Sequence, residues 1–70
     1  MNFLAVIEIT PTGFGATVPD LPGCVATGGT RTEVVDAIIG AIRMHIDGML
    51  EDGTPIPEPT STAEMVTISL

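Results

Sequence analysis

The sequence is poor in basic residues, and this shortage limits what the chain can bind. Only two of its 70 residues are Lys or Arg, against nine Asp or Glu, which gives a formal net charge of −7. A free-standing nucleic-acid binder needs Lys and Arg to displace the counterions of the phosphates, and anionic membranes are disfavoured for the same reason. We therefore expect no direct binding to nucleic acid or membranes, whereas a basic protein partner is favoured.

Cysteine, histidine and aromatic residues are also scarce. The chain has one Cys, one His, two Phe and neither Trp nor Tyr. One cysteine permits no internal disulfide and no zinc cluster. A lone His45 indicates packing or a partner contact rather than catalysis, and Cys24, which has no basic neighbour in sequence, is typical of a small buried residue. We expect no metal, no cofactor and no catalytic residue.

The N-terminus shows no targeting signal. It lacks a basic start, and its apolar stretch is far too short to span a bilayer. A free cysteine fits a reducing compartment, so the cytoplasm is the expected location. A chain of this length allows one domain, residues 1–70, whose small core is expected to need support from association.

Alternating apolar residues predict four strands around one helix, a βββαβ order in the α+β class. The first strand has β-branched residues on both faces and is predicted to be central. Pro11 and Gly13 predict a hairpin turn after it. Pro19 and Pro22 remove backbone donors and predict a bent loop, with a type II turn at Pro22-Gly23. The predicted strands cover about residues 3–10, 14–18, 24–27 and 64–70.

The predicted helix covers about residues 31–51 and is unusually apolar. Thr30 and Glu33 form a capping box at its start, and Gly53 suits its end. Its polar residues occupy one narrow stripe, whereas an ordinary surface helix is apolar over little more than 100°. A small sheet covers only one side, so the remaining flank or an exposed strand edge is expected to meet another chain. The flank residues are Ile39, Ile42, Met49 and Leu50.

The acids suggest two further interpretations. Glu8, Asp20 and helix acids would have to converge to form a two-metal nuclease site, and solvated surface acids are the preferred interpretation. Asp47, Glu51 and Asp52 crowd the C-terminal half of the helix, where the helix dipole disfavours anions. A partner could require them, or screened surface charge could simply cost little; both explanations stay open.

Two separated motifs resemble the HicB antitoxin family. The first is the stretch Val18–Gly28, VPDLPGCVATG; the second is the helix with His45, followed by Glu51–Pro59, EDGTPIPEP. The resemblance covers nearly the whole chain. It implies a partial RNase H-like fold, with sheet order 3-2-1-4 and one helix packed on the sheet.

The resemblance also implies a function. Members of the family bind and neutralise HicA, a small basic mRNA-cleaving toxin, and commonly form homo-oligomers, here a dimer or tetramer. On this hypothesis Asp20 and Leu21 contact the toxin, and Asp47, Glu51 and Asp52 supply complementary charge; the prolines and Gly23 of the loop more simply hold its bend.

The chain departs from the family pattern in one respect, and two alternative functions stay open. Many members carry a C-terminal DNA-binding domain, which is not recognisable here before Leu70, so operator binding is not expected. The chain is alternatively an orphan oligomeric module without a toxin. A degenerate RNase H-like nuclease is the least favoured alternative, because the metal-binding carboxylates of that fold are not recognisable.

Overall fold

Three strands and one helix make up the regular structure of the chain. The computed structural model describes all residues, 1–70. Its elements in chain order are β1 (Val6–Thr10), β2 (Gly13–Thr17), β3 (Val25–Gly28) and α1 (Arg31–Asp52). The strands form one antiparallel sheet in the order β1-β2-β3, with the two-residue loop Pro11-Thr12 joining the first two. The predicted α+β class is confirmed.

Both ends of α1 are capped as the sequence predicts. The Thr30 hydroxyl accepts a hydrogen bond of 3.1 Å from the backbone N–H of Glu33. The Glu33 carboxylate reaches back, but to the N–H of Gly29 (2.9 Å) rather than to that of the cap residue. At the other end Gly53 takes a left-handed conformation and donates its N–H to the carbonyls of the last turn. The helix therefore begins and ends at local signals. The helix does not combine the length and the apolar character that crossing a membrane requires.

The start of α1 sits directly on the end of β3, and Gly28 makes this approach possible. A Cβ atom at position 28 would lie 2.6 Å from the backbone nitrogen of Val34 and 2.9 Å from its Cα. Any side chain there would force the helix away from the sheet. Val34 has no exposed surface, so this contact lies at the centre of the core.

The core is small and lies between the helix and one half of the sheet. The helix packs across β3 and β2 and makes little contact with β1. Partly buried residues from β1 and its N-terminal extension, such as Phe3 and Ile7, border this core. The buried residues are Ala16, Val18, Leu21, Cys24, Val34 and Ile38.

The predicted fourth strand, residues 64–70, is not formed, and this corrects two expectations. Residues 54–70 contain neither helix nor strand. The sheet therefore has three strands in the order β1-β2-β3, the expected order 3-2-1-4 is not confirmed, and β1 is an edge strand rather than a central one. Alternation shows that a segment suits a sheet, but a strand also needs a hydrogen-bonding neighbour. This segment has no such neighbour within its own chain.

The C-terminal residues make the molecule more extended than its length requires. The Cα radius of gyration is 13.8 Å, and the principal extents are 48 × 26 × 16 Å. A closely packed chain of this length has a radius of gyration of about 11 Å. Residues 62–70 are all exposed. We call Glu64–Leu70 the tail; it accounts for part of this elongation.

Candidate partner-binding surfaces

The segment Val18–Cys24, which we call the proline loop, is built from two successive turns. The N–H of Leu21 donates to the carbonyl of Val18, and the N–H of Cys24 donates to the carbonyl of Leu21, both over 3.0 Å. Gly23 has φ of 85° in the second turn, which is the conformation that a type II turn requires at its third residue. The predicted Pro22-Gly23 turn is therefore confirmed.

The proline loop is closed at its base and turned towards the core. The N–H of Val18 donates to the carbonyl of Cys24 over 3.3 Å, and both residues are buried. Leu21, at the junction of the two turns, has no exposed surface. Leu21 was predicted to contact the partner, and in the single chain its side chain packs in the core. The outer surface of the loop is formed by the exposed Pro19, Pro22 and Gly23.

Asp20 binds a distant part of the same chain. Its carboxylate accepts from the backbone N–H of Ser61 (2.9 Å) and of Thr60 (3.1 Å). It also accepts from the hydroxyl groups of Ser61 (2.9 Å) and Thr60 (3.3 Å). We call this arrangement the clasp. It joins the proline loop to the segment that follows the helix.

The clasp stabilises the ionised form of Asp20. The backbone N–H of Ser61 contributes most to lowering the pKa of this carboxyl below its ordinary value of 3.8, against a smaller opposing effect of desolvation. The two hydroxyl groups and the second amide act in the same direction. Asp20 is therefore held as an anion whose hydrogen-bonding capacity is largely used inside the chain.

The acids at the end of the helix have no such internal role. Asp47, Glu51 and Asp52 are all exposed, and the last turn of α1 contains no basic residue. Because the C-terminus of a helix carries a partial negative charge, Glu51 and Asp52 are unfavourably placed in the isolated chain, by about 0.3–1 kcal/mol each. These three residues, the acidic end, form an exposed anionic surface.

The predicted apolar flank of the helix is only partly free. Ile42 and Met49 pack against the core, whereas Ile39 is 44% exposed and Leu50 is 62% exposed. Met44, which the sequence analysis did not name, is exposed as well. The helix thus offers fewer apolar residues to another chain than the sequence indicated.

The acids do not come together into a metal site. No group of three or more His, Cys, Asp or Glu side chains is placed to hold a metal ion, and Asp20 is engaged in the clasp. The nuclease hypothesis depended on converging carboxylates, and these are not found. His45 is half-buried in α1. Cys24 is buried, and burial raises the pKa of its thiol.

Sequence reasoning missed two features of these surfaces. Thr60 and Ser61 were assigned to a polar loop, and no local pattern connects them to an aspartate about forty residues earlier in the chain. The face of the sheet away from the helix was also not considered. It has a shallow concavity of about 220 Å³, in which Glu8 is the only charged residue.

Comparison with known proteins gives matches of three kinds. Residues 3–68 match the family described as HicB-like antitoxin of bacterial toxin–antitoxin systems. Over 58 residues the chain is 42% identical to an uncharacterised 14.9 kDa protein from the rep–hol intergenic region of Haemophilus phage HP1 (strain HP1c1). That match includes 83% of this chain but only 44% of the phage protein, so the chain spans about half the length of this curated relative.

A solved structure shows the same arrangement of strands and helix. A chain of the HicA3 and HicB3 toxin–antitoxin complex superimposes with a TM-score of 0.74 at 28% sequence identity. The superposition covers 86% of this chain and 70% of the other. The similarity therefore extends over most of this chain.

Proposed function

The chain belongs to the HicB-like antitoxins of bacterial toxin–antitoxin systems, and we propose that it binds and neutralises a small basic toxin of the HicA type. Neutralisation occurs by protein–protein contact, with no reaction catalysed by this chain. Residues 1–70 act as one HicB-like unit of partial RNase H-like fold, in the cytoplasm and without contacting nucleic acid. The family match over residues 3–68 carries the proposal, and the solved relative from a complex with HicA3 supports the choice of partner.

The acidic end is the proposed electrostatic contact. A toxin that cleaves mRNA must hold phosphates, so its substrate-binding surface is basic. An anionic surface that covers it would exclude RNA and accelerate association. Asp47, Glu51 and Asp52 fit this role because they are exposed, and the last turn of the helix, which holds Glu51 and Asp52, contains no basic residue. On this proposal the acids are retained, despite their unfavourable interaction with the helix dipole, because they bind the partner.

The proline loop is a second surface proposed to contact the partner, and its conformation is already fixed in the free chain. Asp20 and Leu21 were predicted to touch the partner, but we now assign them to holding the loop, through the clasp and through burial respectively. The exposed Pro19 and Pro22 present the surface itself. A loop held from inside loses little conformational freedom on binding, which favours affinity.

The first test is recovery of the partner. The tagged chain is purified from its native host at low salt, and bound proteins are identified by mass spectrometry. We expect a stoichiometric small basic protein that is released at high salt. Purified together, the two proteins should leave RNA intact that the partner alone cleaves. An absence of such a protein in repeated purifications, or a bound protein whose RNA cleavage is unaffected, would contradict the proposal and leave an orphan module.

A charge-reversal pair locates the contact. Glu51→Lys with Asp52→Lys should weaken toxin binding by about 10–100-fold, while raising the thermal stability of the free chain because cations suit the end of a helix. The matched control is Glu58→Lys with Glu64→Lys, which changes the net charge equally and should leave binding nearly unchanged. Equal losses in both variants would indicate a general charge effect and remove the acidic end from the proposal.

A further inference from the structure

The tail and the free edge of β1 are complementary, and we propose that they join between two copies of the chain. The tail of one copy, Glu64–Leu70, adds as a fourth strand to the β1 edge of the second copy, whose own tail returns to the first. The proposal concerns self-assembly and does not rest on the toxin-binding function. Its occupant of the β1 edge is a second copy of this chain.

The tail has the residues of a strand but none of its contacts. Val66, Ile68 and Leu70 alternate with Met65, Thr67 and Ser69, which is the period-two pattern of a half-buried strand. Its four large apolar residues are each at least 70% exposed: Met65, Val66, Ile68 and Leu70. Such a segment is a candidate for pairing with an open sheet edge.

The receiving edge presents a matching surface. β1 pairs only with β2, so its other edge has free backbone donors and acceptors. Ile7 packs against the core, and Ile9 lies on the same face by alternation but is 85% exposed, because the helix scarcely reaches this strand. A strand added here would place Val66, Ile68 and Leu70 beside Ile9 and cover it.

The distribution of charge favours this surface for contact between identical chains. Each copy carries a formal charge of −7, so two copies repel one another over most of their surface. The tail and β1 contain only one acid each, Glu64 and Glu8. Self-association through them keeps the acidic end of the helix away from the interface and free for a basic partner.

In the structure the tail is not paired with the β1 edge of its own chain. The clasp fixes Thr60 and Ser61 beside the proline loop, and residues 62–70 beyond it are exposed. Every copy has one tail and one free edge. A reciprocal exchange between two copies therefore fills both edges and closes on a dimer.

Cysteine cross-linking tests both the contact and its intermolecular nature. In a Cys24→Ala background, chains with Ile9→Cys are mixed with differently tagged chains carrying Val66→Cys, Ile68→Cys or Leu70→Cys, which together cover the registers of the pairing. We expect a disulfide-linked mixed dimer with at least one of these, and markedly less with Thr67→Cys, which lies on the opposite face of the tail.

One chain that carries both cysteines distinguishes exchange from internal pairing. Ile9→Cys combined with the reactive tail cysteine should give a cross-linked product of dimer mass. A cross-link within a single chain would mean that the tail pairs with its own β1 and would overturn the proposal. Cross-linking that requires an added basic protein would assign the edge to that partner and overturn it equally.

Light scattering supplies an independent measurement on the native sequence. The wild-type chain should be dimeric at micromolar concentration, and Ile68→Pro should raise the dimer dissociation constant at least about tenfold, because proline removes a ladder donor. Ile68→Val is the control and should remain dimeric. A monomeric wild type, or a dimer that Ile68→Pro leaves unchanged, would contradict the proposal. The tail contributes no buried residue in the single chain, so circular dichroism should show the same fold for all three proteins.

Discussion

The proline loop and the tail both lack helix and strand, yet only the loop contributes residues to the core. The loop contributes Val18, Leu21 and Cys24 to a core of six residues, and its backbone is bonded across two turns. The tail contributes no buried residue, although its sequence alternates like that of a strand. Regular secondary structure is therefore a poor guide to which irregular segments stabilise this protein.

The difference follows from where the hydrogen bonds of each segment are made. The loop satisfies its own polar groups through local turns, so its apolar side chains are free to pack inward. A strand satisfies its polar groups only through a neighbour, and the tail has none in its own chain. The loop therefore makes its backbone hydrogen bonds within a single chain. The tail needs the edge of a second strand to make the backbone hydrogen bonds of a sheet.

Truncation of a buried side chain in the loop and of an exposed one in the tail should give the largest difference in the free energy of unfolding. Leu21→Ala removes a fully buried side chain, and we expect the free energy of unfolding to fall by about 2–5 kcal/mol. In a domain this small, that is most of the total stability. Urea unfolding monitored by circular dichroism measures it.

Val66→Ala is the matched truncation in the tail. Measured at a concentration where the chain is monomeric, it should change the free energy of unfolding by less than about 0.5 kcal/mol. Similar losses in the two variants would contradict the contrast between loop and tail.

A cysteine in the proline loop and a cysteine in the tail should react with a thiol reagent at different rates. Cys24 is buried, and burial raises the pKa of its thiol, so it should react only when the loop opens. In a Cys24→Ala background, Ile68→Cys places a thiol in the exposed tail. We expect the tail thiol of the monomer to react with a disulfide reagent at least about a hundredfold faster. Comparable rates would show that the loop opens readily and is not part of a rigid core.

Removal of the clasp charge should have a smaller and more local effect. Asp20→Asn keeps the size of the side chain but replaces an ionised acceptor with a neutral one, and charge-assisted hydrogen bonds are the stronger kind. We expect several-fold faster amide exchange at Thr60 and Ser61, with core amides little affected. Glu58→Gln, which neutralises an exposed acid on the same segment, should change neither rate.

Acid should reproduce the effect of Asp20→Asn in the wild type. Because the folded chain lowers the pKa of Asp20, the clasp contributes fully above about pH 4, and its contribution is lost as the pH falls through the lowered pKa. Exchange at Thr60 and Ser61, corrected for its intrinsic pH dependence, should rise in that range. The acid-induced rise should be absent from Asp20→Asn; an equal rise in both proteins would assign it to other groups.

Most of the fold could be predicted because its signals are local. The cap at Thr30, the left-handed residue at Gly53 and the turn at Pro22-Gly23 each depend on residues within one turn of chain, and the structure has all three. The first three strands follow from alternation, with bounds that differ by a few residues.

The rest depends on contacts that no local pattern specifies. Asp20 in a turn looks like an exposed recognition residue, and only the folded chain brings Thr60 and Ser61 to it. Leu21 between two prolines looks like a surface residue, but the double turn directs it inward. The tail was predicted to be a strand and is not one in the structure, because alternation does not say which edge, if any, a segment will join.

The clasp also bears on the order in which the molecule assembles. The contact between Gly28 and Val34 joins neighbours in sequence, so the entropy lost in closing it is small and it can form early. The clasp spans about forty residues and includes Ser61. On a ribosome, where the C-terminal residues emerge last, the sheet and helix can pack while the proline loop still lacks its tether. We expect the loop to reach its final rigidity only after Thr60 and Ser61 have emerged from the ribosome.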